Sequence, residues 1–168
     1  MDLEETLREL APRLLRYGLA RCGDPALAEE AAQEGLVALA LRWRRAGPPE
    51  HAAGFAFAVT RRRLFRALAR RRLLAPLAAL RNGHGRHPEP DPERRALSRA
   101  DLGRTLGAIR RLPPHEREAL LLAVVGELPG DEAAAVAGVS RSAFKMRVLR
   151  ARRRLQAALA QEPRDGDE

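Results

Sequence analysis

One cysteine, Cys22, stands in 168 residues. No internal disulfide can form, and no cysteine-based metal site is possible. Aromatic residues make up only 4%, so alanine and leucine must supply most of the core. That composition favours helix over strand. No run shows the apolar–polar alternation of a half-buried strand. The longest strongly apolar run, Leu73 to Leu80, is too short to span a bilayer and holds Pro76. The acidic, amphipathic start "MDLEETLREL" does not read as a signal peptide. A soluble cytoplasmic protein with no membrane insertion is expected. Nucleophile–base pairs, Gly-rich phosphate loops and paired-carboxylate clefts are also missing, so neither an enzyme nor a cofactor is expected.

Acidic charge is in short supply. Against 22 Asp and Glu stand 31 Lys and Arg, for a net charge of +9. Only Lys145 among the basic residues is a lysine. Such a balance suits a polyanionic partner, either nucleic acid or an acidic membrane surface. Arginine forks match phosphates and guanine edges, although a GC-rich genome yields the same bias.

What is present is helical periodicity. Leu3, Leu7, Leu10, Leu14 and Tyr17 keep helical spacing. A second helix should open with Asp24 as its N-cap and Pro25 at the first helical position, and should end near Gly47–Pro48–Pro49. Leu27, Ala31, Gly35, Leu36 and Leu39 give it an apolar face. A third helix from Gly54 to Arg72 carries seven arginines and no acid. Around "RNGHGRHPEPDPE" (Arg81 to Glu93) apolar residues nearly vanish, which reads as a linker. Helix resumes around Arg94 to Arg111, breaks at Pro113–Pro114 and continues from His115 to about Val125. The fold class is therefore all-α: two small helical domains, residues 1–76 and 99–161, joined by a linker over 77–98, with a polar tail at 162–168.

The stretch "GVSRSAFKMRVLRARRRL" (Gly138 to Leu155) holds seven basic side chains and no acid. Phe144, Val148, Ala151 and Leu155 recur at helical spacing as a buried stripe. Before it, "DEAAAVA" makes a short helix that Gly138 can end. Val139 fills the turn and Ser140 is placed to cap the next helix. Short helix, Gly turn and second helix form a helix–turn–helix pattern. Its outer face shows Arg141, Ser142, Lys145, Leu149 and Arg152. Residues at the helix start are positioned for base edges, and those further along for phosphates.

These residues resemble a known family. The segment Ala108 to Leu155 is similar to region 4 of bacterial sigma factors of the extracytoplasmic-function group. The resemblance rests on Leu112–Pro113, Arg117, Glu132, Ala134, Gly138–Val139–Ser140, Lys145, Arg147 and Arg150–Ala151–Arg152. Gly23 to Trp43, followed by Gly54 to Arg72, resembles region 2 more loosely, through Ala28–Glu29–Glu30 and Gln33–Glu34. The resemblance implies a subunit that binds core RNA polymerase at the β′ coiled coil and the β flap, and directs it to promoter DNA. An anti-sigma factor is the further partner the family usually has. Arg141, Ser142, Lys145, Arg147, Arg150 and Arg152 become candidates for the −35 element. Phe55, Arg61, Arg62, Arg63 and Arg66 become candidates for the −10 element or its backbone. Glu30, Gln33 and Glu34 become candidates for the polymerase. Phe55–Ala56 stands where the family usually has Trp-Leu, and Arg66 where it usually has an acid.

Two other readings fit the pattern: a stand-alone helix–turn–helix regulator, and a sigma-like interaction module that binds no DNA. Among the aromatics, Trp43, Phe57 and Phe65 are expected in the core, with Phe55 left to stack on a base. His84 and His87, with Glu89 and Asp91 nearby, are the nearest approach to a metal site, and none is expected there.

Overall fold

The computed structural model describes the backbone of residues 2–79 and 96–161, and side-chain surroundings for 2–74 and 103–161. The described residues contain helices and no strand: α1 (Leu3–Cys22), α2 (Pro25–Ala46), α3 (Ala52–Ala79), α4 (Ala96–Arg111), α5 (Pro114–Leu120), a π-helical turn (Leu121–Val125), α6 (Gly130–Ala137) and α7 (Arg141–Gln161). Expected linker residues 77–79 and 96–98 are helical, and residues 80–95 lie outside the described part. The tail at 162–168 and both linker histidines lie outside it as well.

Local chemistry sets the boundaries. Asp2 caps α1 by accepting from the Glu5 backbone N–H at 2.8 Å. The helix ends at Gly23, whose φ of 68° is left-handed and whose N–H reaches the Leu19 carbonyl at 2.8 Å. Asp24 accepts from Leu27 N–H at 3.1 Å and Pro25 opens α2, as its sequence position implies. Helix α3 runs seven residues past the expected end at Arg72 and carries Pro76 within its last turn.

Helices α1, α2 and α3 pack around Leu10, Leu14, Tyr17, Leu27, Ala31, Leu39, Phe57 and Leu64, all buried. Small residues let the axes close up. A Cβ on Gly35 would sit 2.3 Å from Thr60 Oγ1 and 2.9 Å from the Ala56 carbonyl oxygen, so only glycine fits where α2 crosses α3. Helices α4, α5 and α7 bury a smaller cluster of Leu112, Leu120 and Ala151, flanked by Ile109 and Leu155.

The two halves do not stand apart. The main core continues from Tyr17 and Phe57 into Leu121, Leu122, Leu128, Ala133, Ala134, Val136 and Phe144. Tyr17 and Phe57 meet edge-on, ring centroids 5.4 Å apart. Gly126 lies so close that a Cβ there would be 3.0 Å from the Phe57 ring. Arg13 on α1 donates to the Gly126 carbonyl at 2.6 Å and the Glu127 carbonyl at 3.2 Å.

Candidate nucleic-acid interface

The geometry at α6 and α7 follows from three residues. Gly138 adopts φ 71°, which a side chain would strain. Its N–H bonds the Ala135 carbonyl at 3.1 Å, and Val139 N–H bonds Ala134 at 3.0 Å, closing α6. Ser140 Oγ then accepts from Ala143 N–H at 3.2 Å and starts α7. Phe144 is 3% exposed and Ala151 fully buried, with Val148 and Leu155 half-buried beside them. The stripe thus seats α7 against α5 and α6, and a short helix braces the basic one.

The opposite face is open. Arg141, Ser142, Lys145, Arg150 and Arg152 are exposed and Arg147 is half-buried. None of these five cations forms an ion pair with a carboxylate among the described residues. Arg154 does, with Nε 3.0 Å from Glu116 Oε2. Uncompensated charge on a rigid face is what a phosphate backbone neutralises, and it makes binding strongly salt-dependent. The same face holds apolar residues: Met146 is exposed, and Leu149 joins it beside Lys145 and Arg152.

The candidates on α2 and α3 are brought together. Glu30, Gln33 and Glu34 are exposed. Arg63 Nη2 lies 2.9 Å from Glu30 Oε2 and its Nε 3.2 Å from Glu34 Oε2, so one DNA candidate neutralises two polymerase candidates. Arg62 and Arg66 are exposed and make no ion pair among the described residues. Phe55 is half-buried against the core. Phe57 is fully buried and Trp43 packs at the core's edge, as expected. Phe65 corrects the expectation of a core aromatic: it is 62% exposed. Leu64, one step away around the helix, takes the inward position instead. Val37 and Leu41 also face outward on α2, one and two turns beyond Gln33.

Arg61 is held differently. Its Nε lies 3.3 Å from Oε1 of Glu118, a carboxylate on α5 that is buried under α1 and α3. Tyr17 donates its hydroxyl to Glu118 Oε1 at 2.5 Å, and Arg21 Nε donates to Oε2 at 2.8 Å. No sequence signal marks this cluster, since its members come from positions 17, 21, 61 and 118. His115 to Glu118 starts α5 as expected, but Glu116 and Glu118 are both buried.

Burial pushes the Tyr17 phenol well above its usual value of 10.0, and the Glu118 charge and hydrogen bond add to the shift. A raised phenol contributes stability that is intact below the unfolded value and is lost as pH climbs beyond it. The urea midpoint should therefore fall steeply as pH climbs past about 10, beyond any shallower loss that the Cys22 thiol begins near pH 9. Tyr17→Phe should flatten this alkaline loss. An equal fall in the variant would place its cause elsewhere. Cys22 is half-buried, and burial likewise raises its thiol. The described residues hold no cluster of three or more His, Cys, Asp or Glu able to bind a metal. They hold no helix long and apolar enough to cross a membrane.

A braced basic helix joined to a second, arginine-rich helical unit defines a two-part helix–turn–helix protein. Residues 6–73 match the model of sigma-70 region 2, and residues 102–155 match that of sigma-70 region 4. The chain belongs to the sigma-70 family. A curated relative, the RNA polymerase sigma factor CnrH of Cupriavidus metallidurans, is 37% identical over 71 residues. That match spans 42% of this chain and 37% of the relative's length. In fold, the chain resembles the sigma factor RpoE of Bartonella quintana, whose crystal structure is a complex with the anti-sigma factor NepR. The TM-score is 0.69 at 22% identity, covering 95% of this chain and 98% of that one.

Proposed function

We propose that the chain is a sigma factor of the extracytoplasmic-function type. It binds core RNA polymerase and directs it to promoters through −10 and −35 elements, without catalysis of its own. The observation that carries this reading is the α6–Gly138–α7 unit, whose unpaired cations face outward within the segment that matches region 4. Residues 99–161 would lay α7 into the major groove of the −35 element and dock on the β flap. Arg141, Ser142 and Lys145 stand nearest the base edges, and Arg147, Arg150 and Arg152 nearer the phosphates. Residues 1–76 would present Glu30, Gln33 and Glu34 to the β′ coiled coil. Phe55, Arg61, Arg62, Arg63 and Arg66 would hold the −10 element. Exposed Val37 and Leu41 extend the α2 face beyond Gln33. The site of action is the cytoplasm, and an anti-sigma factor is the expected regulator, as in the complex of the Bartonella protein.

Run-off transcription with core polymerase on a genomic promoter library tests the reading. The purified chain alone should bind promoter DNA weakly, and adding core should yield discrete start sites. Absence of any core-dependent transcript would refute it.

A further inference from the structure

Helix α2 turns one exposed stripe outward: Glu30, Gln33 and Glu34, then Val37 and Leu41. Glu30 and Glu34 stand one turn apart, a spacing at which like charges repel. Arg63 of α3 meets both. Its Nη2 lies 2.9 Å from Glu30 Oε2 and its Nε 3.2 Å from Glu34 Oε2, so one planar fork holds two carboxylates of the neighbouring helix. Packing places it there. Helices α2 and α3 cross at Gly35, where a Cβ would collide with Thr60 and the Ala56 carbonyl. Gly35 follows Glu34, and Thr60 lies about one turn before Arg63, so the close crossing brings the guanidinium to this stripe.

The clasp differs from the isolated ion pairs of the surface. Arg8 of α1 pairs with Glu4 within its own helix and leaves 72% of its side chain exposed, whereas Arg63 leaves 34%. Exposed single pairs contribute little to structure, and a guanidinium that binds two acids across two helices fixes more. A fork filled in this way also suits DNA badly. A phosphate at Arg63 would have to displace a carboxylate and then stand beside Glu30 and Glu34, three like charges together. Arg62 and Arg66, on the same helix, are exposed with no ion pair among the described residues and stay open to phosphates.

We infer that Arg63 is a positioning residue for polymerase docking rather than a −10 contact: it holds Glu30 and Glu34 in one geometry on the α2 face that core polymerase binds. This rests on the sigma-factor reading and deepens it. Docking must order long side chains, and ordering them beforehand removes part of that cost. Arg63 does so for two glutamates at once, on either side of the turn that carries Gln33. It also cancels one of their two charges, so the docking face meets its partner with Gln33, Val37 and Leu41 beside a single net negative charge.

The test is the affinity of the full-length chain, labelled at its N-terminus, for core polymerase in the absence of DNA. Arg63→Ala should bind about tenfold more weakly than wild type, a loss of about 1.4 kcal/mol. Arg63→Lys keeps the charge and loses the fork, and should fall between the two. A residue that touches only the −10 element cannot move a constant measured without DNA, so wild-type affinity in Arg63→Ala would overturn the inference. The same change in a Glu30→Gln/Glu34→Gln background should weaken binding by less than about twofold further, because Arg63 then has no carboxylates to hold. A full tenfold loss in that background would show that Arg63 acts by another route, and would overturn the inference as well. Failure of the wild-type chain to bind core at all would refute the sigma-factor reading instead.

Discussion

Replacing Lys145 by glutamate should lower promoter-dependent transcription by about 10²-fold while the variant still comes down with core polymerase. Lys145 is exposed on the second turn of α7 and makes no ion pair among the described residues. Its change therefore breaks nothing inside the fold. A good base contact contributes about 1–3 kcal/mol of discrimination. Reversing the charge adds repulsion from the neighbouring phosphates, and each 1.4 kcal/mol or so is tenfold. Phe144 and Ala151 are untouched, so α7 keeps its seat. Core binding is assigned to Glu30, Gln33 and Glu34 on α2, and should survive. Loss of core binding with DNA binding intact would mean that the roles of the two halves are reversed.

The largest effect on folding should come from Phe57→Ala. Phe57 is fully buried, edge-on to Tyr17, with the Arg13 guanidinium 6.0 Å from its ring centroid and Gly126 pressed against its edge. Truncating a buried phenylalanine costs about 3–5 kcal/mol, against a total stability of roughly 5–15 kcal/mol. Because this ring touches α1 and the segment after α5, the loss should loosen both halves together. Urea unfolding followed by circular dichroism should show a large fall in midpoint, with α1–α3 and α5–α7 losing structure in one transition. A loss below about 1 kcal/mol would contradict the shared core.

Much of this architecture could be read from the residues because its signals are local. Asp24 before Pro25, Gly138 before Val139–Ser140, and the 144–148–151–155 stripe each act within a turn or two of chain. The structure reproduces all three. The basic face of α7 was legible for the same reason: helical spacing fixes which side chains share a surface. Phe65 was misread because Leu64 and Phe65 point in different directions around the helix, and here Leu64 takes the inward one. The end of α3 was misplaced: the helix continues through Pro76 to Ala79. Glu118 was invisible in principle. Its partners lie 97 and 101 residues away in sequence for Arg21 and Tyr17, and only the packing of α5 against α1 and α3 brings them together. The joint between the halves is hidden likewise, since Leu121, Leu122 and Phe144 read as core without saying against what.

The account turns on α7 reading a duplex. The most direct measurement is a footprint of the chain with core polymerase on one responsive promoter, for wild type and Lys145→Glu side by side. Wild type should protect two separate segments. The variant should lose the upstream one and, with weaker occupancy, keep the pattern around the start site. Upstream protection that is identical in both proteins would contradict the assignment of Arg141 to Arg152 as the promoter-reading face.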